Sequence, residues 1–306
     1  MYTASKIRDV YAFLAQNYEE GDEIFMFGGA YILRKTLELI DKIGLLETEN
    51  LGVFFSIWGA LHTGKIHPVP VGTRKPRIRC VGFWDTAGAA YNQIEALRIK
   101  DTDLPSNIDV ALHAVSLQEN RREFRPTLWT TPENGLGANQ VLKEVWFPGA
   151  HSDVGGSYER HELADIALFW MVGEIIDHDL FEVNTGVIIR SSQPHPEPWG
   201  APQPHNAYIE SSWMARRMIH AEQRLESGDI TPDTNFHESW KFAPDTLTLD
   251  YKMISANIVQ DAFTSDWSPK YCTLNAFEEN RKAHWNHQRV CYFSSIFFLY
   301  VPYNEL

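Results

Sequence analysis

The sequence predicts an α/β protein on a doubly wound, mostly parallel sheet, followed by a loop-rich, partly helical C-terminal region. Three observations predict it. Short apolar runs bounded by glycines or polar turns stand at 23–27, 78–84 and 144–147, the pattern of strands buried on both faces. Stretches with apolar residues spaced i, i+3, i+4 and i+7 lie beside these runs, as amphipathic helices require. Hydrophobic residues make up 44% of the 306, enough for the core of a full-sized domain.

Taken in order, Ile7, Val10, Tyr11 and Leu14 share one helical face, and Gly21-Asp22 breaks the pattern. The apolar run at 23–27 predicts a strand ending in Gly28-Gly29. A second helix is expected from Ala30, with Leu33, Thr36, Leu37 and Ile40 on one face and Gly44 as its C-cap. Residues 45–77 are less regular; from His62 to Arg77 they read as a polar, locally basic surface connection. The run at 78–84 is a strand ending at Asp85. Over 107–117, Ile108, Ala111, Leu112 and Val115 are spaced for a helix with Asn107 as N-cap. The strand at 144–147 leads into Pro148-Gly149-Ala150-His151, and a helix follows from about Glu162, with Leu163, Ile166, Ala167 and Trp170 in register.

After residue 190 the pattern weakens. Prolines at 194, 196, 198, 202 and 204 predict a loop or lid. Residues 206–229 carry apolar side chains at helical spacing, 230–280 read as mixed loops, and the ten mostly apolar residues 292–301 suit a last strand or a tail. The division expected is a core over 1–190 and a lid or helical extension over 191–306.

Charge and composition narrow the function. Forty acidic against 27 basic residues give a net charge of −13, which excludes a general nucleic-acid binder. No apolar run reaches the roughly 18 residues of a membrane span. Residues 1–20 hold no apolar signal core. Cys80, Cys272 and Cys291 form neither a disulfide framework nor a metal knuckle, so a reducing, cytoplasmic setting is expected.

The three strands end at Gly28-Gly29, at Asp85 and at His151. In an open parallel sheet, ligands bind beyond the carboxyl ends of the strands, so these ends should lie together. A carboxylate at Asp85 can cap a turn, bind a metal or orient a histidine. His151 is framed by Gly149, Gly155 and Gly156, which permit sharp turns. Asp before His matches the chain order nucleophile, acid, histidine of one kind of catalytic triad. The first strand should then carry the nucleophile at its end. It reads Phe27-Gly28-Gly29-Ala30-Tyr31, with no Ser, Cys or Asp. The nearest hydroxyl is that of Tyr31, a phenol and a poor substitute. His151 and Asp153 also form an H-x-D pair that could ligate a metal with Asp85, although no second histidine is close by in sequence. No metal and no cofactor is expected.

Four stretches carry a family resemblance: 18–28, 81–89, 113–129 and 144–158, the last leading into 163–168. The most specific are Val81-Gly82-Phe83-Trp84-Asp85-Thr86-Ala87-Gly88-Ala89 and Trp146-Phe147-Pro148-Gly149-Ala150-His151-Ser152-Asp153-Val154-Gly155-Gly156. They resemble an α/β-hydrolase domain family, formerly of unknown function, that includes the catalytic domain of one class of type VI secretion phospholipase effectors. The resemblance implies an α/β-hydrolase-type sheet and esterase or phospholipase activity in the enzymatic members. It makes Asp85 the triad acid and His151 the base, with Asp153, Gly155 and Gly156 shaping the histidine loop. Two departures stand out. Family members run Phe-Gly-Phe-Ser-Arg-Gly-Ala-Tyr where this chain joins Gly28 directly to Gly29, so the nucleophile and the following oxyanion-hole residue are missing. The family also opens with a strand ending in Asp-Gly-Thr before the first helix seen here, so the sheet is expected to be incomplete. The resemblance therefore implies a lipase-like protein for a lipid or ester substrate, inactive in this chain. The alternatives are a non-catalytic relative that binds a small ligand or a protein partner, or a truncated gene product.

Overall fold

The computed structural model of the chain describes residues 2–28, 30–63, 65, 67–88, 94, 97–264 and 266–285. At its centre is a six-stranded sheet in which every neighbouring pair is parallel: β1 (Ile24–Phe27), β2 (Ile78–Trp84), β3 (Ile108–Ser116), β4 (Val141–Phe147), β5 (Asn235–Phe236) and β6 (Lys270–Tyr271). Strand order follows chain order, and the sheet runs on past residue 190, beyond α6 (Thr185–Ser191), through β5 and β6. The register sets Phe27 beside Gly82, Trp84 beside Ala114 and Ser116 beside Phe147. The carboxyl ends of β1 to β4 therefore open onto one edge.

Helices cover both faces. On one side, α1 (Tyr2–Asn17), α2 (Ala30–Ile43) and α3 (Phe54–Thr63) pack Ile7, Tyr11, Leu37, Ile40 and Phe54 against Met26, Val81 and Ile108. The α1 and α2 periods are met as expected. Tyr11 joins the two helices through its hydroxyl, which donates to Gly44 O at 2.5 Å and accepts from Leu46 N–H at 3.1 Å. Gly44 ends α2 at φ +84°, where a Cβ would stand 2.7 Å from Arg74 O. On the other side, α5 (Glu162–Asp177) and α9 (Ala276–Ala283) cover Cys80, Val110, Leu112 and Phe147 with Ile166, Phe169, Trp170 and Phe277.

Four expectations need correction. The helix predicted over 107–117 is the central strand β3. All nine of its residues are buried, and apolar side chains fall on both faces among the buried Asp109, His113 and Ser116, so the spacing cannot tell strand from helix. β-branched Ile108, Val110 and Val115 settle it toward strand. Within 45–77, the 3-10 helix Thr48–Val53 runs into α3, which buries Phe54, Ile57 and Trp58, so about half of that connection is helical. The predicted helix over 206–229 is only α7 (Ala207–Glu210) and one 3-10 turn, Ala215–Arg217, because Trp213, Met214 and Met218 face outward with no core to pack on. Residues 230–280 are less irregular than expected: besides β5, β6 and α9 they hold α8 (Ala256–Asp261). The expected last strand or tail at 292–301 lies outside the described residues. No described helix is long and apolar enough to cross a membrane.

Candidate active site

Asp85 is the first residue beyond β2. Its own N–H still donates to Ala114 O at 2.7 Å, but its φ is +45°, a conformation that L residues adopt rarely. The turn is held from below. The next N–H, of Thr86, donates to Nε2 of His113 on β3 at 3.1 Å, and His113 Nδ1 faces Glu144 on β4 at 2.8 Å. His113 thus spends both ring nitrogens on bracing the turn.

The fully buried Asp85 carboxylate has four donors. Ser116 N–H reaches Oδ1 at 2.9 Å. His151 Nδ1 lies 2.7 Å from Oδ2. Arg224 supplies a two-pronged guanidinium contact, Nη1 to Oδ1 at 2.7 Å and Nη2 to Oδ2 at 3.0 Å. Burial by itself would push the Asp85 carboxyl up. The Arg224 charge and the His151 hydrogen bond outweigh it and hold the group well below the usual carboxylate range. An ionised carboxylate only accepts, so the proton in the Asp85–His151 bond sits on Nδ1. Nε2 is left as the basic nitrogen, and no described residue hydrogen-bonds it.

His151 begins the short helix α4 (His151–Gly155) at the end of the loop after β4. Its N–H donates to buried Glu119 at 3.2 Å, and its ring meets Phe124 edge-on, centroids 5.3 Å apart. Glu119 is fixed in turn by Arg121 through bonds of 2.8 and 2.9 Å, and the Arg121 guanidinium lies 3.7 Å over Phe124. Gln118 clamps the loop itself: its side chain accepts from Gly149 N–H at 2.7 Å, and its N–H donates to Gly149 O at 2.9 Å. Gly149 is at φ +118°, and a Cβ there would stand 2.5 Å from the Asp153 Cβ, so the loop demands glycine. Gly156 closes α4 at φ +77°, and Gly155 lies over Trp84.

Of the residues predicted for the site, the structure joins Asp85 to His151 directly. Asp153 does not join them as a third metal ligand. Its carboxylate accepts from Ala150 N–H at 2.8 Å, from His205 N–H at 2.9 Å and faces His205 Nδ1 at 2.6 Å. Among the described residues no group of three or more His, Cys, Asp or Glu side chains is placed to hold a metal. Gly28 leaves β1 at φ +99° with its N–H on Gly82 O at 3.3 Å, three residues before Asp85 on the next strand. Gly29 lies outside the described residues. Arg224, Glu119, His113 and His205 were not singled out by sequence reasoning. Glu119 and His113 sit within a stretch that carries the family resemblance; Arg224 and His205 lie in the region after residue 190, where no motif marks them.

An ionised acid holding a histidine tautomer at the carboxyl edge of a parallel sheet is how hydrolytic enzymes poise a base beside a nucleophile. The chain matches the family described as T6SS, phospholipase effector Tle1-like, catalytic domain, over residues 1–174, and it belongs to that family. No curated protein and no solved structure matches it.

Proposed function

We propose that this chain presents the acid–base half of a lipase-like serine-hydrolase site to a lipid or ester ligand and binds that ligand without turning it over. Membership in a phospholipase-effector family supports the ligand class. The absence of turnover rests on one observation. Asp85 and His151 are assembled at 2.7 Å, yet the junction that should present the nucleophile reads Phe27-Gly28-Gly29-Ala30-Tyr31. No short hydroxyl or thiol is there. The Tyr31 hydroxyl is buried and donates to Leu97 O. In an active arrangement the proton of a serine would pass to His151 Nε2, and Asp85 would stabilise the imidazolium. Removing such a serine costs about 10⁶-fold in kcat.

The segment after residue 190 serves in this reading as both lid and support, since it delivers Arg224 to Asp85 and His205 to Asp153. A reducing, cytoplasmic setting agrees with Cys80 and Cys272, which are free thiols. Incubating the purified chain with a fluorophosphonate probe tests the reading. No labelling is expected; stoichiometric labelling that is lost in His151→Ala would overturn it.

A further inference from the structure

Residues 211–220 run from α7 to the strand-like contact at Ala221, and they expose an unusual set of side chains. Met218, Met214 and Trp213 are 79, 62 and 61% exposed. Among the described large apolar side chains only Val71 and Phe13 stand as far out, each in a different part of the chain. Clustered exposed apolar side chains mark an interaction surface far more often than scattered ones do. Between them lie Arg216 and Arg217, both exposed, and neither makes an ion pair with any described residue. Arg217 rests 4.8 Å over the Trp213 ring. Of the nearby acidic groups, Glu123 faces His220 at 2.9 Å and Glu222 faces Arg122 at 3.6 Å, while Glu210, just before the segment, accepts the Asn206 N–H at 3.2 Å. In a chain of net charge −13 this leaves a local cationic, apolar island.

The island is tied to the site. Arg122 N–H donates to His220 O at 2.9 Å, Arg121 bridges Ala221, and Phe124 of the same segment packs on His151. Four residues beyond His220, Arg224 grips Asp85. We infer that the segment 211–220 is a docking surface for an anionic phospholipid bilayer, with Trp213, Met214 and Met218 entering the headgroup region and Arg216 and Arg217 on its phosphates. An indole and two flexible thioethers suit the interface between acyl chains and headgroups. Guanidiniums without a carboxylate partner among the described residues are free for anionic lipid, and each basic residue strengthens adsorption to such a surface. The negative remainder of the protein then orients this face toward the membrane and the rest away from it.

The inference rests on the reading of the site as lipid-facing, but its test does not depend on hydrolysis or on probe labelling. The full chain is sedimented with vesicles of phosphatidylcholine alone and with vesicles carrying about a third phosphatidylglycerol. Strong co-sedimentation is expected only with the anionic vesicles. Arg216→Gln/Arg217→Gln should weaken it about thirtyfold. Trp213→Ser/Met214→Ser/Met218→Ser should abolish it, while Val71→Ser, at an equally exposed but isolated position, should bind like the parent. Because the altered side chains are exposed, circular dichroism spectra and melting temperatures should match the parent in all three. No binding to anionic vesicles, or variants that bind like the parent, would overturn the inference. So would a parent dimer that the triple serine variant dissociates, which would assign the patch to contact between two copies.

Discussion

Two aspartate–histidine pairs stand side by side in this molecule, and they are built for different work. Asp85–His151 measures 2.7 Å and Asp153–His205 measures 2.6 Å. The difference lies in what else holds each acid. Asp85 carries the Arg224 guanidinium and one N–H, so its charge is already answered when His151 is neutral. Among the described residues Asp153 has, besides the His205 ring, two N–H groups, of Ala150 and His205, and no guanidinium. The His205 ring lies flat against Tyr158, centroids 3.5 Å apart, and the Asp153 hydrogen bond raises its pKa despite partial burial. The first pair orients a base with a free Nε2. The second fastens the proline-rich loop to the histidine loop.

The sharpest way to break the first pair is to remove its cation. Arg224→Met leaves the Asp85 carboxylate buried and short of a partner, which should cost about 3–5 kcal/mol in chemical denaturation. Adding Asp85→Asn should recover part of that loss, because the unpaired charge goes with it. The stability that Asp85 contributes has a definite pH sense. Its folded pKa is depressed, so the contribution is complete above the ordinary carboxylate value near 3.8 and is lost as pH falls below it. Arg224→Met should therefore flatten the acid limb of the stability profile.

The loop that both pairs share is the next target. Gly149→Ala forces a Cβ into Asp153 at a backbone angle that alanine resists, and about 2 kcal/mol of destabilisation is expected in thermal melts. Both histidines should lose their partners together, so their imidazole resonances should shift in the same variant.

His205→Ala should cost least, under about 1 kcal/mol, since the pair is partly exposed and screened. The pH sense is opposite to that of Asp85. The His205 pKa is raised, so the latch is fully present below about 6.5, the unfolded value for histidine, and fades as pH rises through the folded one. The gap in melting temperature between parent and His205→Ala should be widest near pH 6 and close toward alkaline pH.

What the sequence disclosed of this architecture follows from distance along the chain. Strands β1, β2 and β4 and helices α1, α2 and α5 announce themselves through local apolar patterns, and Asp85 and His151 through the turns that end two of those strands. Strand β3 is hidden because a strand with apolar side chains on both faces, here interrupted by Asp109 and His113, has no alternating period of its own. Residues 213–218 misled in the opposite sense: their apolar spacing is helical, but the side chains face water. Arg224 could not be read at all, because its partner lies 139 residues earlier and a lone arginine between Gln223 and Leu225 carries no motif. The His205 latch was equally silent, although its acceptor Asp153 stood in the most specific motif of the chain.

The central claim is that Asp85 and His151 form a poised acid–base pair, and that the turn after β1 lacks both the nucleophile and the oxyanion-hole residue that would follow it. Inserting Phe-Ser-Arg between Gly28 and Gly29 tests it most directly, with hydrolysis of a phospholipid or simple ester as the readout. The account predicts no turnover by the parent, measurable turnover by the insertion variant, and its loss again on His151→Ala. Turnover by the parent that depends on His151 would contradict it.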